Sequence, residues 1–177
     1  MRTRDFQRTA CYIWERAVKE KWPDANALMS VGEIHTLVQR VWGDHRPAEQ
    51  PPALRFAGRR WARGSRHQIT IPVKDWAMRK LIVLHEIAHS LAPVEEPWHG
   101  SKFASFMLEL WENYAGIPSV EARQLAEDQQ PRRVQFAHAA TCQEPTQEWQ
   151  EWKKLEQKLF AMLRECRENE PDKYEET

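Results

Sequence analysis

Leu81–Leu91, which reads LIVLHEIAHSL, constrains this chain more than any other stretch. Leu81, Ile82, Val83, Leu84, Ile87, Ala88 and Leu91 are apolar nearly all round a helix, so the segment is expected to be buried. A buried helix that nevertheless carries His85, Glu86 and His89 must satisfy three polar side chains away from water. His85 and His89 are one turn apart and project from one face. That H-E-x-x-H spacing lets two neutral nitrogens reach one Zn²⁺, with Glu86 beside them to take a proton from water on the metal. The bland alternative is a chance H-E-x-x-H on an ordinary helix, and the burial argues against it.

A catalytic zinc site needs a third protein ligand and keeps its fourth position open. Trp98-His99-Gly100-Ser101-Lys102-Phe103 follows after a short loop, and reads H-G-x-x-F at the start of the next helix. His99 and Phe103 have the same one-turn spacing, so Phe103 can anchor in the core while His99 faces the metal. Over Gln68–Tyr114 this combination resembles the SprT-like and related zincin metallopeptidases. More narrowly, it resembles a family of zinc metallohydrolases from actinobacteria and their phages.

The metzincin pattern is excluded, because it requires Gly and His where this chain has Ala92 and Glu95. Gluzincins take a glutamate from the following helix, where Glu109 falls. Phe103, Met107, Leu110 and Tyr114 define the buried face of that helix, which leaves Glu109 on its shoulder. His99 is therefore the expected third ligand and Glu109 the alternative. SprT-like proteins often carry a cysteine-rich zinc ribbon. Cys11, Cys142 and Cys166 form none, so the DNA-repair role of those proteins is not carried over.

The three cysteines are widely spaced and form neither a disulfide framework nor a Cys-x-x-Cys site, which suits a reducing compartment. No apolar run of signal-peptide length follows the basic Met1–Arg8, and no stretch approaches a membrane span. A soluble, cytoplasmic protein without a membrane partner is expected. With 26 basic and 26 acidic residues in 177, charge does not demand nucleic acid. The balance hides an asymmetry. Arg55, Arg59, Arg60, Arg63 and Arg66 crowd around Trp61, while Glu144–Thr177 is net acidic.

The expected fold is α+β and zincin-like, with a small, mainly antiparallel sheet packed on the H-E-x-x-H helix and its supporting helices. Periodicity predicts a first helix over Asp5–Trp22, burying Phe6, Ala10, Ile13 and Ala17 with Trp14 and Val18 beside them. Ser30 and Glu33 form a capping box for a second helix through Trp42, closed by Gly43. Leu54–Phe56 and His67–Val73 alternate as strands, the second presenting His67, Ile69, Ile71 and Val73 on one face. Such a sheet edge can hold an extended peptide. Asp75 is the expected N-cap of the active-site helix and Pro93 its stop. Ser101–Ala115 is the supporting helix, closed by Gly116 and Pro118, and Ser119–Gln129 is a weaker helix. Arg132–Ala140 is ambiguous, with a strand-like Val134 and Phe136. His138 and Cys142 have ligand-like spacing but no further partners. Trp152, Leu155, Leu159, Met162 and Cys166 form a seam over Thr146–Glu168 that needs a partner surface. Two parts follow: a zincin-like domain over 1–140, and a C-terminal amphipathic helix with an acidic, disordered tail over 141–177.

The function expected is a zinc-dependent metallohydrolase, a metallopeptidase acting on a peptide or protein substrate. His85, His89 and His99 would hold Zn²⁺ and Glu86 would be the catalytic base. Tyr114, His67 and Arg66 are candidates for assisting the oxyanion. Glu95 and Glu96 either select a basic substrate group or form a solvated loop pair. The alternative is a non-catalytic zincin-fold module. It would engage a protein partner or a second copy through the C-terminal helix, or nucleic acid through the Arg55–Arg66 cluster.

Overall fold

The computed structural model describes residues 5–58, 60–129 and 133–137, all within one contact unit, Met1–Ala137. The expected seam over Thr146–Glu168, the His138–Cys142 pair, Arg59 and the boundary at residue 140 lie outside the described residues. The fold is mixed α+β. Among the described residues it comprises α1 (Arg8–Lys21), α2 (Val31–His45), β1 (Ala53–Ala57), β2 (Arg63–Ser65), β3 (Gln68–Pro72), α3 (Lys80–Leu91), α4 (Ser101–Ala115) and α5 (Ser119–Glu127).

Local chemistry explains some helix ends. Ser30 Oγ accepts from the Glu33 amide while the Glu33 carboxylate accepts from the Ser30 amide at 2.7 Å, the capping box expected for α2. Gly43 does not close that helix, which runs on to His45 with Gly43 inside it. Gly116 closes α4 in the left-handed region, at φ 68°. Asp75 does not cap α3. It lies in a turn, and the helix starts later, at Lys80. The reason is a long-range pairing: Leu28 bridges to Arg79, and the Lys80 amide donates to the Ala27 carbonyl at 2.9 Å. Backbone from the α1–α2 connection thus supplies what a capping side chain would have supplied.

The sheet is three-stranded in the order β1-β3-β2. β3 pairs parallel with β1 over five residues, from Ala53↔Gln68 to Ala57↔Pro72, and antiparallel with β2 over three, from Arg63↔Thr70 to Ser65↔Gln68. The expectation of a mainly antiparallel sheet is therefore corrected. The chain leaves β1, crosses to the far side of β3 and returns through β2, so β1 and β3 run the same way. Ile69 and Ile71 of β3 are fully buried, whereas His67 and Val73 at its ends are exposed.

α3 packs between the sheet and α4. Trp14, Trp42, Trp111 and Phe103 are among the largest fully buried side chains of the core, each contributing about 1.5–3 kcal/mol by leaving water. Trp14 Nε1 also donates to the Ala122 carbonyl at 2.7 Å, which ties α1 to α5. The buried stripe of α1 is rotated from the expected one. It comprises Ala10, Cys11, Trp14, Glu15 and Val18, leaving Phe6 and Ile13 exposed. Residues 133–137 form no strand. They are irregular and held by polar contacts: the Gln135 amide donates to Gln7 Oε1 at 2.8 Å and the Ala137 amide to Ser105 Oγ at 3.0 Å. No helix of the described residues is long and apolar enough to cross a membrane.

Candidate metal centre

α3 carries His85, Glu86 and His89 into the interior, where His85 and Glu86 are buried. The loop after α3 makes two successive turns, Glu96 amide to Pro93 carbonyl and Gly100 amide to Pro97 carbonyl. His99 stands at its end, one residue before the Gly100 N-cap of α4, and is buried beside the other two histidines. His85, His89 and His99 each offer a ligand nitrogen, all within 4.8 Å of one another. The Nε2 atoms of His85 and His89 are 3.1 Å apart. Two nitrogens at about 2.0–2.1 Å from one tetrahedral Zn²⁺ stand roughly 3.3 Å apart, close to that separation. Phe103 is the floor of the cluster, its ring centroid 5.1 Å, 4.3 Å and 5.0 Å from those of His85, His89 and His99.

Carboxylates lie behind two of the rings. Asp5 Oδ2 is 2.8 Å from His99 Nδ1, which leaves Nε2 as the free nitrogen of that ring. His99 Nε2 is buried and has no hydrogen-bond partner. An unpartnered buried nitrogen is costly in a dry interior and is what a metal ion would satisfy. Glu15 Oε2 lies 3.6 Å from His85 Nδ1, longer than a hydrogen bond but on the side away from His89 Nε2. The Trp98 ring lies beside His89, with centroids 5.4 Å apart.

Burial is also the main cause of the altered acidities. It presses His85 down to about 3, assisted by the charges of His99 and Lys19. It holds His89 well below the usual range, with His85 and His99 adding to the effect. It lowers His99 as well, against the opposing pull of Asp5. All three imidazoles are consequently neutral near pH 7, as metal ligation requires. Burial lifts Glu86 to about 8, opposed by a hydrogen bond from the Gly64 amide. Glu15 is raised too, by the same loss of water, with Lys19 counteracting. Cys11, buried beneath the His99 backbone, is pushed up to about 12, which keeps it a thiol.

The structure brings together the expected ligands and base, and disperses the other candidates. Glu109 does not join the cluster. Its carboxylate lies 3.9 Å from His45 and is partly exposed. Tyr114 donates to Asp44 at 2.6 Å, Arg66 pairs with Glu49 at 2.7 Å, and His67 sits exposed in the β2–β3 turn. None of these four lines the cleft. Glu96 accepts from the Lys102 amide and so caps α4, and neither it nor Glu95 lines the cleft. Among the hydroxyl-bearing residues that do line the cleft, with Ser65 and Thr70, is Tyr12, whose ring stacks on His85 at 5.8 Å.

Asp5, Glu15 and Gly64 were not anticipated from sequence. For Glu15 a signal existed: it interrupts the apolar Cys11, Trp14 and Val18 stripe of α1, and a carboxylate there must have a buried partner. Asp5 and Gly64 had none, because their partners are remote in sequence. No family model matches the chain, and neither a curated protein nor a solved structure does so.

Proposed function

We propose that the chain is a zinc-dependent metallohydrolase of zincin type, hydrolysing amide bonds as a metallopeptidase. The single observation that carries this reading is the convergence of three neutral histidines, one with a buried unpartnered Nε2, beside a buried glutamate. The same residues fit the H-E-x-x-H and H-G-x-x-F resemblance to SprT-like zincins. The sheet laid on α3, with β2 at its edge, fits that fold.

His85, His89 and His99 would hold the metal, with Asp5 fixing the ring of His99 and Glu15 standing behind His85. Zinc bound there supplies Lewis acidity, polarising a carbonyl and making water a better nucleophile. Glu86 is the proton carrier. With the charge of a bound cation favouring its carboxylate form, it would take a proton from the attacking water and return it to the leaving amine. The Gly64 amide holds its carboxyl in place. Tyr12, whose ring stacks on His85 in the cleft, would offer its hydroxyl to a developing oxyanion.

Glu86→Gln keeps the shape of the side chain and removes the base. Turnover should fall by about 10²–10⁴-fold while zinc content is unchanged. Comparing peptide products of the wild type and Glu86→Gln from a proteome digest checks this. Identical products at identical rates would remove Glu86 from the chemistry and the hydrolase reading with it.

A further inference from the structure

The cleft over the three histidines has a volume of about 1010 Å³, and its wall carries Arg8 from α1, Arg60 from the turn after β1, and Arg63 from β2. Each guanidinium lies over an aromatic ring: Arg8 over Tyr12 at 5.6 Å, Arg60 over Trp61 at 5.2 Å, and Arg63 over Trp98 at 5.1 Å. All three rings are exposed, Trp61 at 69%. Three guanidinium–ring pairs from separate segments around one cleft make a repeated pattern.

Among the described residues, no carboxylate pairs with Arg8, Arg60 or Arg63. Asp5 and Glu86 are the carboxylates lining the cleft, and both are engaged, Asp5 with His99 and Glu86 with the Gly64 amide. Arg66 provides the contrast, since Glu49 holds it outside the cleft. A guanidinium is weakly hydrated and offers a planar fork that matches a carboxylate. Stacking on a ring fixes its plane before a ligand arrives, which lowers the ordering cost of binding.

We propose that this cleft selects acidic peptide segments, with Arg8, Arg60 and Arg63 receiving Asp or Glu side chains that flank the scissile amide. The proposal rests on the hydrolase reading and specifies its substrate class. A peptide is favoured over nucleic acid by β2. Arg63 belongs to the short edge strand of the sheet, which no further strand flanks among the described residues, so an extended chain can lie along it with its side chains beside the guanidinium, the Gly64 amide being already engaged by Glu86. A flexible polyanion has no use for that edge.

The test uses the full-length, zinc-loaded Glu86→Gln protein, so that binding is read without cleavage. Capped octapeptides with Glu, Gln or Lys around a central Ala-Leu are titrated by fluorescence anisotropy. The Glu peptide should bind about 10-fold tighter than the Gln peptide, with the advantage shrinking as salt rises. Arg60→Gln or Arg63→Gln should remove most of that preference without changing zinc content, while Arg66→Gln leaves it intact. Equal binding of Glu and Gln peptides, or preference for the Lys peptide, overturns the proposal. So does a single-stranded oligonucleotide of equal charge that binds more tightly than the Glu peptide, which would assign the rim to nucleic acid. Cleavage by the wild type without an acidic preference would sink this inference alone. An acidic preference in binding with no cleavage by the wild type would sink the hydrolase reading alone.

Discussion

His99→Ala should lose zinc under mild chelation, with affinity falling on the order of a thousandfold or more, because a direct ligand is removed from a buried site. The substitution leaves two histidines and a gap where His99 Nε2 had no other partner. Asp5→Ala should fall between this variant and wild type. It removes the acceptor 2.8 Å from His99 Nδ1, and an orienting carboxylate is typically worth about 10–100-fold in metal affinity. Glu109→Ala should keep zinc at the wild-type level, since its carboxylate faces His45 at 3.9 Å rather than the cluster. Competition with a fluorescent chelator measures all three. If Glu109→Ala lost zinc while His99→Ala kept it, the site would be of the gluzincin kind and the H-G-x-x-F segment would lose its meaning.

Gly64→Ala should cost about 3–5 kcal/mol and lower the melting temperature by roughly 10 °C. A Cβ at this position would stand 1.9 Å from the carbonyl oxygen of Glu86, 2.8 Å from its carbon and 3.0 Å from its Cα. These are backbone atoms of α3, so no rotamer change relieves the clash. β2 would have to lift off the helix, and the amide that holds the Glu86 carboxyl would leave with it. Turnover should therefore fall even in the protein that remains folded. The backbone of Gly64 is not in the left-handed region, so space alone requires the glycine. A melting temperature within a degree or two of wild type would mean that β2 does not rest on α3.

These two sites show where sequence reading succeeded and where it stopped. His85, Glu86, His89 and His99 were legible because ligand spacing on helices is local, and the ends of α4 because Gly116 and Pro118 lie next to it in the chain. The capping box of α2 was legible for the same reason. β2 was hidden: Arg63-Gly64-Ser65 has no alternation and no β-branched residue, and it becomes a strand only by lying between β3 and α3. The late start of α3 depends on Ala27 and Leu28, far back in the chain. Glu15 was not legible because the expected buried stripe of α1 ran through Phe6 and Ile13, whereas tertiary packing turned the helix toward Cys11. That rotation is what brings a carboxylate behind His85.

The metal content of the purified full-length chain tests the central claim most directly. After dialysis against metal-free buffer, elemental analysis should find about one Zn²⁺ per wild-type chain. His85→Ala and His89→Ala, checked to be folded by circular dichroism, should hold almost none. Wild-type protein that takes up no zinc even when it is supplied, or full stoichiometry retained in both variants, would contradict the metal centre proposed for His85, His89 and His99.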